Sequence, residues 1–328
     1  MTRIDFAEVI PLEVPLNTTF YISRMPISKR CTLIIRMKTA GGVEGQIFIG
    51  DERNNYAVIC DFIKEEIFPR ILGRRPSEVT AIWEEIFAMT VPQSYRRGII
   101  IHALAAVDAA LWDLIGRQAG MPVFRLLGAA QTRLQPTVIG GYRIEGEDEP
   151  DAVRTIEVIE EVREAGYAGL KLKVGGFDPE VDINRVREIR KAVGEEFILI
   201  CDANKGYSVE QAIAFAEGVS EYNIEWLEEP TPWYNEIEGM RKIRESSPIP
   251  VAAGQGEYDR WGCRALVEGG AVDILNNDIS KGGGGFGMDS YRPFRFVPWR
   301  KIGPPRGSGN RNASTGVHAP GIVPRVFS

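Results

Sequence analysis

Cysteine is scarce in this sequence, and no excess of basic charge runs through it. The four cysteines, Cys31, Cys60, Cys201 and Cys263, stand far apart and form no CxxC pair, which fits a reducing compartment and no zinc site. A formal charge of −6 over 328 residues leaves no electrostatic footprint for nucleic acid over the chain as a whole. The longest apolar run, Gly98 to Gly116, is broken by His102, Asp108 and Asp113, so it does not read as a membrane span. The opening Met1-Thr2-Arg3-Ile4-Asp5 carries charge where a signal peptide is apolar. A soluble, cytoplasmic protein with no membrane partner is the expectation.

The chain is long enough for one large domain or two ordinary ones. Residues 1 to about 50 read as antiparallel strands, with Thr32 to Lys38 one of them and Gly41-Gly42 the turn after it. Asn17 to Ser28 and Phe48 to Asn55 read as loops. Helices are expected over Ala57 to Phe68, ended by Pro69, and over Ser77 to Met89, with Ser77 as N-cap. Ile99 to Gln118 is the strongest helix, with Leu104, Val107, Leu111 and Leu114 on one stripe and Gly120 past its end.

From Gln135 the grammar changes to alternating apolar strands and amphipathic helices. Six βα units follow, with strands at Pro136–Gly140, Leu170–Val174, Phe197–Cys201, Ile224–Leu227, Pro250–Ala253 and Val272–Leu275. Near-continuous apolar strands of this kind imply a parallel sheet covered on both faces. The spacing suits a (β/α)8 barrel or a doubly wound sheet, and no GxGxxG follows the first strand to favour dinucleotide binding.

The second strand, Gly169 to Gly175, alternates Leu170, Leu172 and Val174 with Lys171 and Lys173, so both lysines share a face. Taken alone this is an edge strand with a wet lysine face. The later strands end differently: Asp202 closes the third with Asn204 two further on, Glu228 closes the fourth, Gln255 closes the fifth with Glu257 two further on, and Asp278 with Lys281 follows the sixth. One strand-end acid is usually a helix cap. Acids or amides on four consecutive strands, beside two lysines, point instead to the carboxyl-end face where barrel active sites lie. Carboxyl-type oxygens from adjacent strands suit a hard cation such as Mg2+. A lysine beside a second lysine and a cation is pushed toward its neutral form and can act as a general base. That pairing suits removal of the weakly acidic proton next to a carboxylate, through an enediolate.

Lys-x-Lys, Asp-x-Asn, Glu-Glu-Pro, Ala-Gly-Gln and Asn-Asp-x-x-Lys-x-Gly-Gly together resemble the enolase superfamily, specifically the mandelate racemase/muconate lactonizing enzyme family. Ala105 to Asp113 and Leu126-Leu127-Gly128 resemble the usual ending of its capping domain. The resemblance implies an α/β architecture, with an N-terminal α+β capping domain over 1–130 followed by a TIM-like (β/α)8-type barrel; in this sequence the barrel pattern, over 131–285, stops after about six units and gives way to an aberrant tail over 286–328. It implies Asp202 and Glu228 as Mg2+ ligands, Lys173 as base and Lys171 as a contact to the substrate carboxylate. It also implies that the two loop stretches close over the substrate, with Tyr21, Arg24 and Arg53 as candidate contacts, joined by Asn204 and Glu257. Asp278 aligns with the aspartate that orients a histidine base in mandelate racemase-like members. Cycloisomerase and epimerase relatives place a lysine base on that strand, and Lys281 lies beyond that position.

Two features depart from the pattern. Gln255 stands where the third ligand is normally a glutamate, which removes a charge from the cation site; Glu257 is the alternative ligand. The partner histidine is missing, since His102 lies on a capping helix and His318 in the tail. The tail itself follows Gly282-Gly283-Gly284-Gly285, is rich in proline and arginine, has Asp289 as its single acid, and reads as a frame lost at the glycine run. The sequence therefore suggests an acid-sugar dehydratase or racemase acting on a small carboxylate. A cycloisomerase or epimerase and a catalytically impaired relative are the alternatives. A homo-oligomer without nucleic acid is expected.

Overall fold

The computed structural model of the chain describes residues 2–50, 55–128, 137–148 and 151–284. Its first part is β1 (Ile4–Ile22), β2 (Met25–Thr39), β3 (Glu44–Gly50), α1 (Tyr56–Phe62), α2 (Phe68–Ile71), α3 (Val79–Ala88), α4 (Arg97–Ala119) and α5 (Val123–Leu126). Its second part is β4 (Thr137–Gly140), β5 (Arg143–Ile144), α6 (Ala152–Glu164), β6 (Gly169–Lys173), α7 (Pro179–Val193), β7 (Ile198–Asp202), α8 (Val209–Gly218), β8 (Ile224–Glu228), α9 (Glu236–Ser246), β9 (Val251–Ala253), α10 (Arg260–Glu268) and β10 (Ile274–Leu275). The tail from Phe286, with His318, lies outside the described residues, and so does Arg53.

Four expectations about the first part are corrected. Asn17 to Ser28 is not a loop but the end of a long hairpin: Phe20, Tyr21 and Ile22 pair with Ile27, Pro26 and Met25 across a turn at Ser23-Arg24. The stretch is polar in places, yet Thr18, Thr19, Phe20, Tyr21 and Ile22 are β-branched or aromatic, and such residues favour a pleated strand. Phe48 to Gly50 likewise belongs to β3. Pro69 does not end its helix: a wide π turn over Ile63–Ile67 restarts the chain as α2, placing the proline in a first turn, where no N–H is needed. Ser77 is not the cap of α3 either, because a 3-10 turn over Pro76–Glu78 precedes it and the Glu78 carboxylate accepts from the Arg75 N–H at 3.1 Å. The long helix stands as read, closed by Gly120 at φ 62°. By length and composition α4 could cross a membrane, but here it supplies the centre of the first core with Leu104, Val107, Leu111 and Leu114.

The second part is a six-stranded sheet in the order β10-β9-β8-β7-β6-β4, parallel at every pairing. Leu170, Leu172, Leu199, Cys201 and Leu227 turn outward into the larger core under the helices. Ile200, Trp226, Ala252 and Ile274 form a separate inner cluster. The register places Lys173 opposite Asp202, and Asp202 opposite Glu228. Side chains on one level of neighbouring strands point the same way, so pairing alone gathers these three.

β5 leaves the barrel sheet and joins the other one, whose order is β3-β2-β1-β5, by pairing with Phe20 and Tyr21. The hairpin tip then rests on the barrel. Ser23 Oγ donates to Gly175 O at 2.8 Å, and a Cβ placed on Gly176 would stand 2.9 Å from Ser23 O. Gly206 is equally close, with Ser23 Oγ and the Gly175 carbonyl in the space a side chain would need. Gly206→Ala should therefore lift the tip, at a cost of about 1–3 kcal/mol for overpacking. Trypsin cleavage after the exposed Arg24 should accelerate, and an unchanged cleavage rate would refute this seat.

Candidate active site

β6 is not an edge. It lies between β4 and β7, and Lys171 and Lys173 are 5% and 8% exposed. Buried ammonium groups need partners, and both have them. Lys171 Nζ lies 2.7 Å from Glu228 Oε1 and 2.9 Å from Asp202 Oδ2. Lys173 Nζ lies 2.7 Å from the same Asp202 Oδ2 and donates to Asn204 Oδ1 at 2.7 Å. Two amines and two carboxylates thus close a compact cluster, with Asp202 Oδ2 shared. Trp226 Nε1 donates to the other Glu228 oxygen at 3.2 Å.

The electrostatics divide the roles. Burial pushes the Lys173 amine down from its ordinary range; Asp202 pulls against this and Lys171 adds to it. Burial would push the Asp202 carboxyl up, but the ammonium groups of Lys171 and Lys173 overcome it and hold that carboxyl well below the usual range. The Asp202 carboxyl is thus favoured as the anion, while burial disfavours the charged form of the Lys173 amine.

The loops past these strand ends are bent. Asn204 (φ 44°), Lys205 (φ 67°) and Glu229 (φ 42°) all sit in left-handed backbone without being glycine. Such conformations cost roughly 1–3 kcal/mol each and cluster where geometry serves a site. They bring in Lys205 and Glu229, to which the sequence pattern gives no site role. Glu229 is buried, its Oε2 accepts from Gln255 Nε2 at 2.6 Å, and its Oε1 is 3.5 Å from Lys205 Nζ. Burial pushes the Glu229 carboxyl up, opposed by Lys205 and reinforced by Asp202 and Glu228.

The other expected residues have contacts of their own. Glu257 sits against Gly262 in the first turn of α10. Asp278 caps the turn after β10, its Oδ1 accepting from Ser280 N at 3.1 Å and Ser280 Oγ at 2.6 Å, and the Lys281 N–H donates to Asp278 O. Tyr21 is stacked under the Arg143 guanidinium, 3.5 Å from its ring centre. Arg24, at the hairpin tip, lines a surface cavity of about 380 Å3 with Gly206, Thr231 and Asn235. His102 packs against Tyr258, 5.4 Å between ring centres.

The donors suit a hard cation. Asp202 and Glu228 already converge on one cationic nitrogen, Lys171 Nζ, and carboxylate oxygens from adjacent strands are what Mg2+ takes. Among the described residues no three His, Cys, Asp or Glu side chains group as a ready metal site. Gln255, an amide where the sequence pattern expects a carboxylate, turns its Nε2 to Glu229.

Comparison with known proteins agrees with this geometry. Residues 6–128 match the family described as mandelate racemase/muconate lactonizing enzyme, N-terminal domain, and residues 154–289 match the enolase C-terminal domain-like family. D-galactarolactone cycloisomerase of Agrobacterium fabrum is 30% identical over 84% of this chain and 70% of its own length. Arabinonate dehydratase of Saccharolobus solfataricus is 30% identical over 68% of this chain, which spans 58% of that relative. The crystal structure of a mandelate racemase/muconate lactonizing enzyme from a marine actinobacterium, in complex with magnesium, superposes with a TM-score of 0.76 and 33% identity, covering 88% of this chain and 76% of that one. With both of its halves matched in order and its lysine strand set beside Asp202 and Glu228, the chain belongs to the mandelate racemase/muconate lactonizing enzyme family of the enolase superfamily.

Proposed function

We propose that this chain is a Mg2+-dependent lyase or isomerase that removes the proton α to the carboxylate of a small acid sugar, acting as a dehydratase or racemase. The observation that carries the reading is Lys173 Nζ held at 2.7 Å by both Asp202 and Asn204. Once the Lys173 ammonium has released a proton, the neutral amine left has two N–H bonds and one lone pair. With both N–H bonds taken by these acceptors, the lone pair faces the remaining direction and can accept a proton there. Lys171 brings the positive charge that holds the substrate carboxylate, itself steadied by Glu228 and Asp202. When bound, Mg2+ held by Asp202, Glu228 and Gln255 supplies the charge that stabilises an enediolate.

The relatives named above include both a dehydratase and a cycloisomerase. The cycloisomerase relative supports a second reading, cycloisomerisation or epimerisation from the same first proton transfer. A cytoplasmic setting and a homo-oligomeric state are part of the proposal.

The test is incubation with a panel of sugar acids in D2O with Mg2+, following α-deuteration and keto-acid product. Lys173→Ala should lower exchange by about 10²–10⁴-fold, the usual worth of a general base. Exchange undiminished in that variant would remove Lys173 from the role. Chelation of Mg2+ should stop exchange in the wild-type chain and readdition restore it.

Gln255 offers a separate measurement. Gln255→Glu replaces the hydrogen bond to Glu229 with two facing carboxylates, so without metal it should destabilise the chain by about 1–3 kcal/mol. With Mg2+ the added charge should tighten binding. Calorimetric titration and thermal melts should show a larger Mg2+-induced rise for the variant than for wild type. An equal or smaller rise would place Gln255 outside the cation site.

A further inference from the structure

α7 carries two buried arginines five residues apart, and each ties down backbone carbonyls. Arg190 donates to Tyr222 O at 2.8 Å, Gly194 O at 2.6 Å, Phe197 O at 2.8 Å and Asn223 O at 3.0 Å. All four precede β7 or β8, on the face where the strands begin. Arg185 donates to Lys173 O at 2.8 Å and to Gly141 O. Those two close β6 and follow β4, on the face where the strands end. In barrels of this kind the first face serves stability and the second serves chemistry.

The surroundings of Arg185 are specific to that end. β4 pairs with β6 only as far as Gly140 opposite Leu172, so the Lys173 carbonyl lies past the last rung, and Arg185 supplies a donor there. On the same helix, Asp182 accepts from the Gly175 N–H at 2.9 Å and from Tyr207 Oη at 2.7 Å, and its other oxygen is 3.8 Å from Arg185. Two side chains of α7 therefore hold the backbone at Lys173 and two residues beyond it, from behind the strand.

We propose that Arg185 is a positioning residue for Lys173: it grips the carbonyl of that lysine's own residue, and with Asp182 on Gly175 keeps the amine beside Asp202 and Asn204. This rests on the role given to Lys173 above. Displacement of a reacting group by about 1 Å can cost on the order of 10²-fold in rate.

The test compares full-length wild type with R185M, R185K and R190M. The first readout is hydrogen exchange at the amides of Lys173, Val174 and Gly175, which needs no substrate. The second is kcat and KM for α-proton exchange with galactarate, or with whichever acid the panel shows to be exchanged. R185M should lose protection at those three amides and lose about 10²-fold in kcat with KM near wild type, the pattern of a misplaced group. R185K, able to reach one carbonyl, should recover part of both. R190M should melt earlier while keeping local protection and kcat at temperatures where it is folded. Intact protection at residues 173–175 in R185M, or an equal kcat loss in R190M, overturns the proposal. Should R185M not fold, R185K decides by the same two readouts, and wild-type values in it overturn the proposal. If wild type exchanges no acid, the functional reading falls, while the amide protection still decides the grip by itself.

Discussion

Two buried ammonium groups sharing one oxygen of Asp202 are the interaction on which the rest of this structure depends. Four charged side chains leave water together there, and Coulomb attraction in the interior repays that only when the geometry is close and every partner is present. Removing a single partner from such a group typically costs about 3–5 kcal/mol. The cluster therefore demands a frame that does not slip. The strand register provides it, since Lys173, Asp202 and Glu228 share one level across β6, β7 and β8.

The same constraint explains the division of labour in β6. Its leucines fill the outer core and its lysines fill the inner site, so a strand that alternates apolar and charged residues is buried on both faces. Beyond the strand ends, three left-handed non-glycine residues turn Asn204, Lys205 and Glu229 back toward the cluster. Strain of that kind persists only where surrounding contacts over-determine it. The Lys205 N–H to Glu229 O bond at 2.7 Å is one such contact.

Much of this was legible in the sequence. Alternation of leucines with lysines marked β6, and apolar runs followed by an acid marked β7 and β8, each to within a residue or so, because such strands leave a periodic trace. The hairpin around Ser23 was not legible, because its polar residues resemble a loop and its pairing with β5 spans more than a hundred residues of sequence. Asp182 and Arg185 were hidden for another reason. At i and i+3 on an amphipathic helix they look like a solvated ion pair, and nothing in the period says that this part of α7 faces the strand ends. Glu229 was concealed by its neighbour, since only the bent backbone separates its surroundings from those of Glu228.

β5 gives the architecture a property that neither half has alone. The segment comes from the barrel side of the chain yet completes the edge of the other sheet, and Arg143 within it covers Tyr21. The border between the two parts in sequence is thus not their border in space. Any exchange of the first part between relatives must carry Arg143 and Ile144 with it, or the transplanted hairpin arrives with its edge uncovered. Variation in the hairpin and in the loop after β4 is consequently bound together, as two sides of one rung.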